Sequence, residues 1–150
     1  MDIAFTNYVD NDFNEFKEMA FGLYVEDHVG MPMTLEKIKR TIDASIRHPE
    51  KIQIVMIRSD DIIIGYGLIT FLWSNEYGGD VLDIDEIYVK KEYRNKQVAT
   101  RFMKNILETN KNVVLFELEA TPTNKGAITL YESLGFEVSA NLHLRRIATS

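Results

Sequence analysis

Apolar positions along the chain change period several times, and each change predicts an element. Residues 2–9 alternate loosely between polar and apolar, which predicts a short strand, and Asp10-Asn11-Asp12 then offers helix-capping side chains. Phe13, Phe16, Met19, Ala20, Leu23 and Tyr24 recur at helical spacing, with Asp12 and Glu15 spaced as a capping box, so a helix runs to about Glu26. Residues 27–33 read as a loop; Thr34 then caps a second helix whose apolar stripe is Leu35, Ile38, Ile42 and Ile46, and Pro49 ends it. Residues 52–57 and 62–73 read as strands joined at Ser59-Asp60-Asp61, which suits an antiparallel hairpin. Gly65 and Gly67 inside the second of them mark a bulge or a close backbone approach.

The second half changes regime. A polar loop over 74–80 leads to a strand over 81–89, a helix over 97–110 with Val98, Phe102, Ile106 and Leu107 on one face, a strand over 113–120, a helix over 124–134, and strand material from Phe136. A strand–helix–strand crossover of this length implies that the 81 and 113 strands pair in parallel, with the helix covering one face of the sheet. The whole is therefore predicted as one α+β domain over residues 1–150 with a mixed sheet, since no linker, repeat or low-complexity segment divides it.

Composition narrows the chemistry. With 45% hydrophobic residues the chain can bury a core, and the absence of cysteine removes disulfides, thiolate nucleophiles and Cys-ligated zinc. His28, His48 and His143 are scattered without metal-ligand spacing, so no metal site is expected. The net charge of −6 argues against a nucleic-acid partner and favours cationic small molecules. The N-terminus lacks the basic and apolar stretches of a signal peptide, and no apolar run reaches the roughly 18 residues that span a bilayer. No membrane association and a cytoplasmic location are the expectations.

The segment from Ile87 to Thr100 combines a strand end, a basic turn and the start of a helix. A helix's first turn leaves N–H groups unpaired and carries partial positive charge, so it can hold a phosphate. Arg94 and Lys96 flank the turn and Ala99 keeps it small; the same features also suit a solvated basic loop. Asp83, Asp85 and Glu86 lie on the preceding strand, where a period of two puts the two aspartates on one face and Glu86 on the other, unless a bulge reverses them.

Arg94, Val98 and Ala99 fit the acyl-coenzyme A signature of the GNAT superfamily of N-acetyltransferases, Arg/Gln-x-x-Gly-x-Gly/Ala, which this segment resembles. The sequence departs from it at Asn95 and Gln97, where glycine is common; Asn tolerates left-handed backbone angles, and Gln97 replaces the core glycine. Residues Asn124, Ala127, Tyr131, Gly135 and Phe136 are similar to the family's second signature, Asn-x-x-Ala-x-x-x-Tyr-x-x-x-Gly-Phe, at every named position.

The resemblance implies a central mixed, mostly antiparallel sheet with helices on both faces, and acetyl transfer from acetyl-coenzyme A to an amine. It further implies that backbone groups at Tyr88 and Val89 meet the pantetheine arm, that Gln97, Val98, Ala99 and Thr100 hold the diphosphate beside Arg94, Asn95 and Lys96, and that Asn124 lines the cofactor side. Tyr131 falls at the usual general acid, although Ala127, Ile128, Tyr131 and Leu134 also share a face that suits a core tyrosine. The base is expected among Asp85, Asp83 and Glu86, in that order, because the face of Ile87 and Val89 is the one implied to look toward the acceptor. Glu26 and Asp27 are candidates for gripping a cationic acceptor, polyamine-like or aminoglycoside-like, and Trp73 and Tyr77 for walling its pocket. Homodimers are among the assemblies the resemblance implies. Gln97 leaves open an alternative, a non-catalytic acyl-coenzyme A sensor.

Overall fold

The computed structural model describes residues 1–27 and 30–148, so His28 lies outside the described residues. They fall into two compact units, one running from Met1 to Glu119 and the other beginning at Ala120.

The first unit holds β1 (Ile3–Asn7), α1 (Phe13–Glu26), α2 (Leu35–Arg47), β2 (Ile52–Ser59), β3 (Ile62–Ser74), β4 (Gly79–Val89), α3 (Val98–Thr109) and β5 (Leu115–Leu118). The strands form one sheet in the order β1-β2-β3-β4-β5. β1 to β4 pair antiparallel, and β5 lies parallel to β4 with Val81 opposite Leu115, as the crossover through α3 requires. The chain is thus an α+β fold with a mixed, mostly antiparallel sheet.

Adjacent residues of β3 locate the two faces. The Tyr66 ring meets Phe16 of α1 edge to face at 4.9 Å, and Phe16, Met19 and Ala20 join Ile38 and Ile42 of α2, Ile54, Met56 and Leu68 in one buried cluster. Its neighbour Gly67 points the other way, and there a Cβ would overlap the ring of Phe102 from α3. Neighbouring strand residues address opposite faces, so α1 and α2 cover one and α3 the other. The glycine that weakens the strand pattern is what lets α3 sit against backbone.

Several expectations at element ends are corrected. Asp12 makes no cap bond to α1. Its carboxylate, almost fully buried, accepts Val9 N–H at 3.1 Å and both contacts of Arg58 Nη2 at 2.7 and 2.8 Å, while Arg58 Nε donates to Thr6 Oγ1. A buried ion pair outcompetes one cap bond for the same oxygens. Glu15, the other half of the expected box, pairs with Lys90. On α2, Thr34 does cap, accepting Lys37 N–H at 3.2 Å, but only Ile38 and Ile42 of the stripe are buried; Leu35 and Ile46, at the helix ends, are exposed.

The second unit contains α4 (Lys125–Ser133) and, among the described residues, no strand. The strand expected from Phe136 does not form: Val138, Leu142, Leu144 and Ile147 are exposed. A strand requires a neighbour for its N–H and C=O groups, and this unit has none of its own.

Candidate active site

The centre of the site is a bulge in β4. Leu68 of β3 pairs with Glu86 and the next residue, Ile69, with Ile84, so Asp85 is the extra residue. Asp83 pairs with Thr70, two residues from Leu68, and so shares the face of Glu86. The regular alternation that separates Asp83 from Glu86 is undone.

That face is the one covered by α1. Tyr24 of α1 donates its hydroxyl to Glu86 Oε2 and Tyr66 of β3 donates to Oε1, both at 2.6 Å. The Tyr66 ring is stacked against Tyr88, with centroids 6.3 Å apart, and is itself fully buried. Burial pushes the Glu86 carboxyl above the usual carboxylate range, the two phenol bonds pull it back, and nearby Asp85 adds a smaller upward push. The phenols move the same way: burial first, and the Glu86 charge with its hydrogen bond next, raise both Tyr24 and Tyr66, so each remains a donor. Among the three acids, Asp85 is exposed and Asp83 half-buried. The sequence places Tyr24 only in the apolar stripe of α1 and gives Tyr66 no site role; the fold joins both to Glu86.

Among the described residues, β4 beyond the bulge is paired on one side alone. Its parallel partner β5 ends opposite Ile84, while pairing with β3 continues to Val89. Lys90 N–H donates to Ile64 C=O at 2.8 Å, and the antiparallel alternation then turns the backbone groups of Tyr88 into β3 and those of Ile87 and Val89 outward. The Val89 carbonyl accepts Arg94 Nε at 2.7 Å. The same guanidinium reaches Glu26 at the end of α1, at 2.9 and 3.0 Å, and lies 5.3 Å over the Tyr88 ring. Two residues expected to serve different ligands, Arg94 for cofactor and Glu26 for acceptor, are therefore joined to each other here.

The turn into α3 has the shape the motif calls for. Asn95 and Gln97 both hold φ near 62°, the left-handed region glycine favours, with Gln97 as the N-cap residue. Gln97 provides no side-chain cap, so the first-turn N–H groups of Val98, Ala99 and Thr100 face outward without that partner. Asn95, Lys96 and Gln97 are exposed, and the Lys96 ammonium sits 5.6 Å over Tyr93. Open donors, a cation and a small Ala99 make a cradle that fits a diphosphate.

In the second unit the family-like spacing has a local reason. Asn124 caps α4 by accepting Ala127 N–H at 3.2 Å. Gly135, at φ 94°, ends the helix, and Phe136 N–H turns back to the Tyr131 carbonyl, bringing the two rings to 6.2 Å edge to face. Burial raises the Tyr131 phenol.

Trp73 and Tyr77 lie apart from Glu86. Trp73 pairs with Asp80 at the far end of the β3–β4 hairpin, and Tyr77 sits in its loop; both are exposed. Asp27 follows α1 directly and is exposed. The described residues contain no group of three or more His, Asp or Glu that could hold a metal, and no helix long and apolar enough to cross a membrane.

A family model described as the acetyltransferase (GNAT) family matches residues 13–136. Thialysine N-epsilon-acetyltransferase of Mus musculus is 36% identical over 76 residues, 49% of this chain and 44% of that protein. The match thus spans less than half the length of this curated relative. The fold superposes with a TM-score of 0.80 on a possible acetyltransferase from Clostridium difficile 630, at 23% identity and over 98% of this chain and 99% of that one. It also superposes, at 0.79 and 15% identity over 99% and 100% of the two chains, on AAC(6′)-Iy in complex with the bisubstrate analog CoA-S-monomethyl-acetylneamine. At these identities the likeness is one of fold.

Proposed function

The chain belongs to the GNAT acetyltransferase family, and from that premise we propose that it is an acetyl-coenzyme A-dependent N-acetyltransferase whose acceptor, a small cationic primary amine, attacks directly. The observation that carries the proposal is the Glu86 carboxylate, held by two phenols where β4 loses its parallel neighbour, on the strand that leads into the anion cradle of α3. The family model runs across both units, which supports treating residues 1–150 as one acyltransferase domain.

An ammonium has no lone pair, so the acceptor must lose a proton before it reacts. Glu86 is the base of this proposal, in place of the exposed Asp85: burial lifts its proton affinity toward the working range, while the phenols keep it aligned. When bound, acetyl-coenzyme A supplies an acyl group activated as a thioester. The outward backbone of Ile87 and Val89 would orient its pantetheine arm, and Gln97, Val98, Ala99, Thr100 and Lys96 its diphosphate. Tyr88 contributes through its ring, which packs on Tyr66 beneath Arg94, rather than through its backbone. By its place in the family's second signature, Tyr131 is the candidate acid for the departing thiolate, on a helix that Asn124 caps.

A cationic acceptor is supported by the net charge of −6 and by the acids Asp83, Asp85 and Glu86 along one strand. The name of the relative, thialysine N-epsilon-acetyltransferase, points the same way, to a terminal amine. Polyamine-like and aminoglycoside-like amines both meet this description. Gln97, the feature behind the sensor alternative, takes up the left-handed geometry of the glycine it replaces, so the cradle forms regardless.

The test is thiol release from acetyl-coenzyme A against a panel of amines. Turnover is expected with polyamines, lysine-like amines or aminoglycosides. Turnover confined to anionic or neutral amines would remove the cationic acceptor, and saturable cofactor binding with no turnover on any amine would turn the assignment to a sensor.

A further inference from the structure

Glu86 accepts one phenol on each oxygen, and the two phenols differ in how they are held. Tyr66 stands on the central strand β3, fully buried, wedged between the edge of Phe16 at 4.9 Å and the stacked ring of Tyr88. Tyr24 lies in the last turns of α1, half-buried, two residues before Glu26, whose carboxylate pairs with Arg94. Tyr88 in turn is seated against α1, where a Cβ on Gly22 would come within 2.8 Å of its hydroxyl. A carboxylate oxygen has two acceptor directions, so one hydrogen bond on each leaves the other open to an incoming proton.

We propose that Tyr66 and Tyr24 are the positioning residues of the base, fixing the Glu86 carboxylate in one orientation and holding it ionised against its burial. This rests on Glu86 being the base. The charged and titratable groups facing Glu86 are Tyr24 from α1, Tyr66 from β3 and Asp85 on its own strand, with Asp27 next along from Tyr24 and Arg94 above Tyr88. The phenols are the only ones of these that stabilise the carboxylate by direct donation, and Asp85 opposes them. Hydrogen bonds to a charged group are the strong ones, and each is short here.

Tyr66→Phe and Tyr24→Phe keep the rings and remove one donor each. The carboxyl carbon of Glu86, followed by NMR against pH in protein without cofactor, is expected to titrate at higher pH in either variant than in the unaltered chain. In the pH profile of kcat/KM the acid limb is expected to move upward, so that the rate on that limb falls about tenfold while the high-pH plateau falls far less. A role in packing alone would lower the whole profile evenly and leave the Glu86 titration where it was; that result overturns the proposal. The two claims fail separately. A Glu86→Gln variant that retains turnover removes the base assignment, whereas a dead Glu86→Gln with an unmoved titration in the tyrosine variants removes only their positioning role. Should Tyr66→Phe fail to fold, Tyr24→Phe, at a half-buried helix position, decides the question by the same two readouts.

Discussion

As the proposed base, Glu86 joins a cost to the fold with a use in the reaction. Replacing it by Gln is expected to lower turnover by roughly 10²- to 10⁴-fold, the span of general base catalysis. The same change is expected to raise the melting temperature at neutral pH. A carboxyl whose folded pKa is raised favours folding fully below its unfolded pKa of about 4.3 and loses that contribution as pH rises through the folded value. The gain from Gln should therefore be present at neutral pH and vanish in acid, and melting curves at the two pH values check it. Gln97 is the second residue under tension. At φ 62° its side chain sits in a region that costs a non-glycine residue about 1 kcal/mol, against a similar entropic cost for glycine. Gln97→Gly should change stability by less than about 1 kcal/mol, while Gln97→Val should destabilise by more than that in chemical denaturation. Sequence placed the acids on the correct strand and Gln97 at the glycine position. Its order for the base, Asp85 first, differs from the one proposed because a bulge at Asp85 leaves no mark in the alternation, and the bonds of Tyr24 and Tyr66 to Glu86 are not legible because they span 62 and 20 residues of chain.

Elements were more legible, because each helix and strand of the first unit writes its burial into a period. The stripes of α1 and α3 appear at the expected places, that of α2 is buried only at Ile38 and Ile42, and β2 to β4 follow in the expected antiparallel order. Errors gathered at ends, where one polar group decides. Asp12 has the identity and spacing of a cap, yet Arg58 claims it from another strand. Removing one partner of a buried pair strands the other, so Asp12→Ala is expected to cost about 3 kcal/mol in equilibrium unfolding, well above the ~1 kcal/mol of a lost cap. A cost near the lower figure would return Asp12 to the capping role. Gly67 and Phe102 make a second joint: Phe102→Ala should cost roughly 3–5 kcal/mol, since it empties the contact between α3 and β3 that also sets where the cradle begins.

At the scale of the whole chain, two linked signatures and an element order carried the family, and the fold agrees through β5. The final strand does not follow, because sequence supplies the alternation of Leu142 and Leu144 but cannot supply the neighbouring edge a strand needs. The parallel pairing of β4 with β5 was legible through its crossover helix, whereas the side-chain partners of Asp12 and Glu86 were not. The proposed function rests on the grip of β4 and α3 on a thioester cofactor, and the most direct measurement is a titration with acetyl-coenzyme A followed through backbone amide resonances. Saturable shifts centred on Val98, Ala99 and Thr100 and on the outward groups of Ile87 and Val89 are the expected result. No association at millimolar cofactor, or shifts that spare both segments, would contradict the account.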